Sequence, residues 1–297
     1  MLRWMWFTLM TLGCLTGAVL LQSGGRPADP SQGLRVFYAS NSGMWYVPDG
    51  LGEVAEAARI KDHKLVGLQK LPASRTLQHW NLPADQNQAK KALASGEVDA
   101  FVMSPIQFPD AGVEHFVQLG LAHNPKMRFL VQITWGAGDI DNQDFPKGAF
   151  AVVNREKTPD QLRQLHARNI QAAEAQADAI NQQYGGGKKV LFLVPSAQAL
   201  VALRTRIANH EFAGLTKQGD LFRDAMSHPT APLEALNTYL HYAVLYGQSP
   251  VGLPMPGSLK RDKRPEWDEK FNRSLQEVAW ETVATYPYSG VIETTKR

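Results

Sequence analysis

One cysteine, Cys14, stands in a chain of 297 residues, and it lies in the first stretch of the sequence. Its isolation excludes a disulfide framework, a thiolate zinc cluster and a catalytic thiol in anything downstream. Charge is also sparse and balanced. Lys and Arg number 31 against 28 Asp and Glu, a net of +3, and no segment gathers the basic residues into a stripe. That excludes nucleic acid as a partner. Gly185-Gly186-Gly187-Lys188 precedes a strand and lacks the Gly-Lys-Ser/Thr of a phosphate loop. With 44% hydrophobic residues the chain has ample material for a core, which excludes disorder as its main state.

Long apolar runs are absent except at the start. Arg3 precedes an almost continuous apolar stretch, Trp4 to Leu21, closed by Gln22-Ser23-Gly24-Gly25. This order marks residues 1–25 as an export signal or an uncleaved N-terminal anchor. Lipidation at Cys14 is not expected, because the apolar run continues past it. Residues 26–33, with two prolines, read as a linker, and residues 34–297 as one domain outside the cytoplasm. The expected location is secreted, periplasmic or cell-envelope, with membrane contact only through the N-terminal segment.

From Leu34 short β-rich runs alternate with amphipathic stretches. Strands are expected at Leu34–Ala39, Lys64–Leu71, Val98–Met103, Met127–Trp135 and Val190–Val194. Helices are expected at Leu51–Ile60, Gln86–Ser95, Val113–Ala122, Pro159–Tyr184, Leu233–Tyr246 and Trp267–Thr285. Alternation of this kind predicts an α/β fold, a three-layer α/β/α sandwich around a parallel sheet of about five strands, flavodoxin-like in order. Ligands of such sheets bind beyond the carboxyl ends of the strands. A periplasmic solute-binding protein would show a second similar lobe, and none is visible.

The first strand runs into Ser40-Asn41-Ser42-Gly43, where a serine hydroxyl can stand above the sheet or simply cap exposed backbone. No Gly-x-Ser-x-Gly elbow occurs, so the α/β-hydrolase arrangement is not supported. A serine nucleophile needs a histidine base and a carboxylate to orient it. Of eight histidines, most fall in or beside helices, and His241 lies on an apolar helix as a core residue would. His228 differs. It sits in an irregular segment, Asp220 to Thr230, with two acids upstream and Pro229 behind it.

Serine after the first strand and a late Asp-rich stretch ending in His-Pro together resemble the SGNH/GDSL hydrolase superfamily. The likeness spans Leu34 to about Gly252 and is best over Leu221–Gly252. It implies a flavodoxin-like serine esterase or lipase with Ser42 as nucleophile, His228 as base and Asp224 as orienting acid, Asp220 being the alternative. It also implies oxyanion donors from the N–H of Ser42, the backbone of Ala73 and the Gln107 amide. Several positions depart from the family pattern. Ser40 replaces a glycine, and Asp224 precedes His228 by four residues where three is usual. Pro72-Ala73 stands where a glycine is expected, and Ser104-Pro105-Ile106-Gln107 where Gly-x-Asn is expected.

The resemblance, together with the expected export, implies an exported esterase acting on a small-molecule or glycan ester, such as an acyl group on a carbohydrate, and needing no cofactor or metal. The alternative is a non-catalytic relative that binds a glycan or protein at the cell surface. Trp45, Tyr46, His79, Trp80 and Trp135 fall near strand ends, where aromatic rings either stack on a sugar or pack the loops. The acidic stretch Gly136–Asn142 lacks the ligand spacing of a calcium loop.

Overall fold

Along each strand, successive side chains point to opposite faces of the sheet, and here both faces are covered. The computed structural model describes residues 31–136 and 154–291. Five strands, β1 (Arg35–Ser40), β2 (Lys64–Lys70), β3 (Ala100–Ser104), β4 (Arg128–Gln132) and β5 (Leu191–Val194), form one parallel sheet ordered β2-β1-β3-β4-β5. All five lie within the strands expected from sequence except for Ser40 and Ser104, each one residue beyond. The helices are α1 (Val47–Ala57), α2 (Thr76–Trp80), α3 (Gln88–Ala94), α4 (Ala111–His123) and α5 (Pro159–Leu165). They continue with α6 (Ala167–Tyr184), α7 (Ser196–Ala208), α8 (Ala231–Tyr246), α9 (Gly257–Arg261) and α10 (Glu269–Ala284).

Two cores follow from the strand alternation. Val36, Tyr38, Val102, Leu130 and Val194 face one core, which α1, α7, α8 and α10 close. Phe37, Phe101, Met103, Phe129 and Val131 face the other, under α3, α4 and α6. This is the three-layer α/β/α sandwich. Helix α8 is buried almost all round, against α1 and α10. It ends at Gly247, whose φ of 68° suits glycine, and the buried guanidinium of Arg128 donates to the carbonyls of Leu245 and Val244 at 2.6 and 3.2 Å.

Three expectations change. The continuous helix 159–184 breaks at His166, because α5 packs on α7 while α6 packs on β5 at the sheet edge. A straight rod cannot serve both. Helix α1 begins four residues earlier than expected, with Pro48 in its first turn, where a missing N–H costs nothing. Helices α2, α7 and α9 fall where no element is expected from sequence. The export segment, the linker through residue 30 and all but the first residue of the 136–142 stretch lie outside the described residues. Among the described residues no helix is long and apolar enough to cross a membrane.

Candidate active site

The register of the sheet brings several strand ends to one level. Ser40 pairs with Lys70 on β2 and Ser104 on β3, while Met103 pairs with Val131, one residue before the end of β4. Loops leaving this rim therefore start side by side. Ser42, Ile106 and Thr134 lie two residues beyond their strand ends and Ala73 three, and all four line one cleft of about 60 Å³. His228 closes it from the far end of the chain.

Asn41 shapes the turn that presents Ser42. Its backbone N–H donates to Ser104 Oγ at 3.1 Å and its amide nitrogen donates to the Ser104 carbonyl, so the turn is fastened to β3. Its Oδ1 accepts the Gly43 N–H at 3.0 Å, a local turn that asparagine favours. Ser40 is buried, its hydroxyl without a partner among the described residues. Of the two serines, Ser42 is the one that reaches the cleft.

Ser42 Oγ lies 2.9 Å from His228 Nε2, and His228 Nδ1 lies 2.6 Å from Asp224 Oδ2. An ionised carboxylate only accepts, so Nδ1 carries the proton and Nε2 accepts from the serine hydroxyl. Burial of Asp224 favours its neutral form. The hydrogen bonds from the His228 ring and backbone outweigh it and hold the carboxyl below the usual range. Asp220 instead lies exposed in a separate turn, where its carbonyl accepts from the Thr230 hydroxyl.

The loop bearing Asp224 and His228 folds back on itself. Arg223 N–H donates to the His228 carbonyl at 3.0 Å and Thr230 N–H to the Leu221 carbonyl at 2.9 Å. Ser227, at φ 62°, makes the turn. Two residues pin it from outside, Arg155, which the sequence does not single out, and Trp135, which it does. The buried Arg155 donates to the carbonyls of Asp224 (3.0 Å) and Ala225 (3.3 Å) and to Ser227 Oγ (2.8 Å). The Trp135 indole donates to the Ser227 carbonyl at 2.9 Å.

Ala73 also lines the cleft, at φ 45°, a region glycine takes freely and alanine at a cost. A buried relay holds its turn. The Gln69 amide donates to His79 Nδ1 at 3.1 Å, which leaves Nε2–H to donate to Ser74 Oγ at 2.9 Å, and that hydroxyl donates to the Leu71 carbonyl at 2.8 Å. The Ser74–His79 pair therefore runs opposite to a nucleophile and its base. Burial keeps His79 neutral, its pKa lowered to about 4. The N–H groups of Ser42 and Ala73 have no acceptor among the described residues.

Gln107 is not brought to the cleft, because Ile106 forms that wall. Among the aromatic residues near strand ends, Trp135 alone lines it. Trp45 donates to the Ser40 carbonyl, Tyr46 accepts from Asn237, and Trp80 packs on Phe116 and His115. Among the described residues no group of three or more His, Cys, Asp or Glu is placed to hold a metal.

No protein-family model and no curated protein matches the sequence. Solved structures similar in chain path include a DUF4886 family protein from Bacteroides uniformis, at 13% identity over 88% of this chain and 98% of that one, with a TM-score of 0.49. A candidate SGNH hydrolase from Slackia heliotrinireducens is 16% identical over 71% of this chain and 97% of its own, with a TM-score of 0.44.

Proposed function

We propose that this protein is a serine hydrolase that cleaves an ester, with Ser42 as nucleophile, His228 as general base and acid, and Asp224 as the group that orients the imidazole. The observation that carries the reading is the unbroken chain from Ser42 Oγ to His228 Nε2 and from Nδ1 to Asp224, at 2.9 and 2.6 Å. Ser42 Oγ attacks the acyl carbon while Nε2 takes its proton, and Asp224 stabilises the imidazolium. The oxygen of the tetrahedral intermediate is met by the N–H groups of Ser42 and Ala73. His228 then returns the proton to the departing alkoxide, and water, activated by the same nitrogen, releases the acyl group from Ser42.

A short acyl ester, carried on a carbohydrate outside the cytoplasm, is the substrate class we assign. The small cleft supports the short acyl chain, and the aromatic Trp135 lines its wall. Treatment of the purified protein with a fluorophosphonate probe, followed by peptide mass mapping, tests the reading. Labelling of Ser42 that disappears in Ser42→Ala and His228→Ala is expected. An unlabelled protein that still binds a glycan would instead be a binding module built on this fold.

A further inference from the structure

Resting on that reading, we infer that Thr134 is a catalytic residue, its hydroxyl being the side-chain donor to the negatively charged oxygen of the tetrahedral intermediate. Such an oxygen presents three lone pairs, and two backbone N–H groups, those of Ser42 and Ala73, leave one unmet. The level strand ends say where a third donor must stand. Ser42, Ile106 and Thr134 occupy equivalent positions beyond β1, β3 and β4, all lining the cleft. Ile106 has no polar atom on its side chain, and Gln107 lies outside the lining. Thr134 is the hydroxyl left on that side.

Its surroundings fit the task. Thr134 is 6% exposed, held beside β5 by the bond from Ile133 N–H to the Val194 carbonyl at 3.0 Å. Its Oγ1 lies 3.6 Å from the point where a side chain on Gly43 would begin, next to the nucleophile. Gly43 N–H is already committed to Asn41 Oδ1, so it does not compete for the oxygen. The Thr134 hydroxyl has no hydrogen-bond partner among the described residues, which leaves its proton free to turn toward the cleft. A β-branched threonine holds that hydroxyl in few rotamers, so little freedom is lost when charge develops.

The test uses the full-length protein, a short-chain ester and a fluorophosphonate probe. Thr134→Val keeps the shape and removes the donor, and Thr134→Ser restores it. The expected result is a fall in kcat on the order of 10²-fold for Thr134→Val with KM nearly unchanged. The rate of probe labelling should fall in parallel, because the phosphonyl oxygen occupies the same place, and Thr134→Ser should recover most of both. Unchanged kcat in Thr134→Val, or a raised KM with kcat intact, overturns the assignment while Ser42 labelling persists. An unsubstituted protein that resists the probe overturns the hydrolase reading, and this inference with it.

Discussion

Asp224 holds His228 twice. One carboxylate oxygen accepts the His228 backbone N–H at 3.1 Å and the other faces the ring Nδ1 at 2.6 Å. The second bond fixes which ring nitrogen is protonated, and the first ties the His228 backbone to the same carboxylate. A spacing of four residues allows both because the loop reverses at Ser227. Asp224→Asn keeps an oxygen for the backbone but replaces the other with an N–H donor, which forces the wrong tautomer. Turnover should drop by about 10²- to 10⁴-fold with the fold unchanged. Asp220→Asn should leave turnover where it is. Steady-state kinetics of the two variants, side by side with circular dichroism, check this.

Ala73 stands at positive φ, a strain of about 1 kcal/mol that glycine does not feel. Ala73→Gly should raise kcat on a simple ester several-fold where the strained turn limits alignment of the N–H, with KM unaltered. Loss of turnover would mean that the stiffness of alanine matters more than its strain, and kinetics at saturating substrate separate the two outcomes.

Arg155 fastens the Asp224–His228 loop by donating to two backbone carbonyls and the Ser227 hydroxyl at once, and methionine has no donor for any of them. Arg155→Met should lower turnover by at least about tenfold and destabilise the fold by roughly 1–3 kcal/mol. Urea unfolding measures the second effect. A lower rate of fluorophosphonate labelling at Ser42 in a variant that remains folded would identify misplacement of His228 as the cause.

Acid should weaken the protein through two buried histidines. Burial lowers the pKa of His79 to about 4 and that of His241 to about 3. In the unfolded chain both take up protons near their ordinary value of about 6.5, while the folded chain keeps them neutral. Stability is therefore fully present above that value and falls as the pH drops toward these lowered values, by on the order of a few kcal/mol. Urea midpoints at about pH 7.5 and about pH 4.5 measure the slope. His79→Gln and His241→Gln should each flatten it, whatever they do at neutral pH.

Much of this is legible in the sequence. Strands β1, β3, β4 and β5 are apolar-rich runs, as burial on both faces demands, while the edge strand β2 is half-exposed and carries lysine at both ends. Ser42 and His228 are legible because each sits in a polar, helix-breaking segment next to a buried element. Arg155 and Thr134 are not. Arg155 acts on carbonyl groups, which every residue possesses, so no partner residue type announces it. Thr134 matters only because β4 ends level with β1, a register that the one-dimensional pattern does not contain. Gln107 is expected as a donor from the family resemblance, by its amide and its place after the third strand, yet Ile106, one position earlier along the loop, lines the cleft instead. Helix α7 is read past because its inward face carries the buried Arg204 beside Leu200 and Leu203, so polarity no longer marks the solvent side.

Strand β1 also separates two ends of the molecule. Gly33 and Lys61, bonded at the amino end of the sheet, mark where the chain enters the domain, and Ser42 stands past the carboxyl end. Six strand residues put roughly 20 Å between these poles. A bead, fusion partner or chip surface coupled at Ser31 thus sits beneath the sheet and leaves Ser42 on the opposite side, toward the medium. Coupling through the surface lysines Lys70 or Lys90 places the same support beside the rim. Immobilised preparations made by the two chemistries should differ in accessible sites, although each holds the same folded protein.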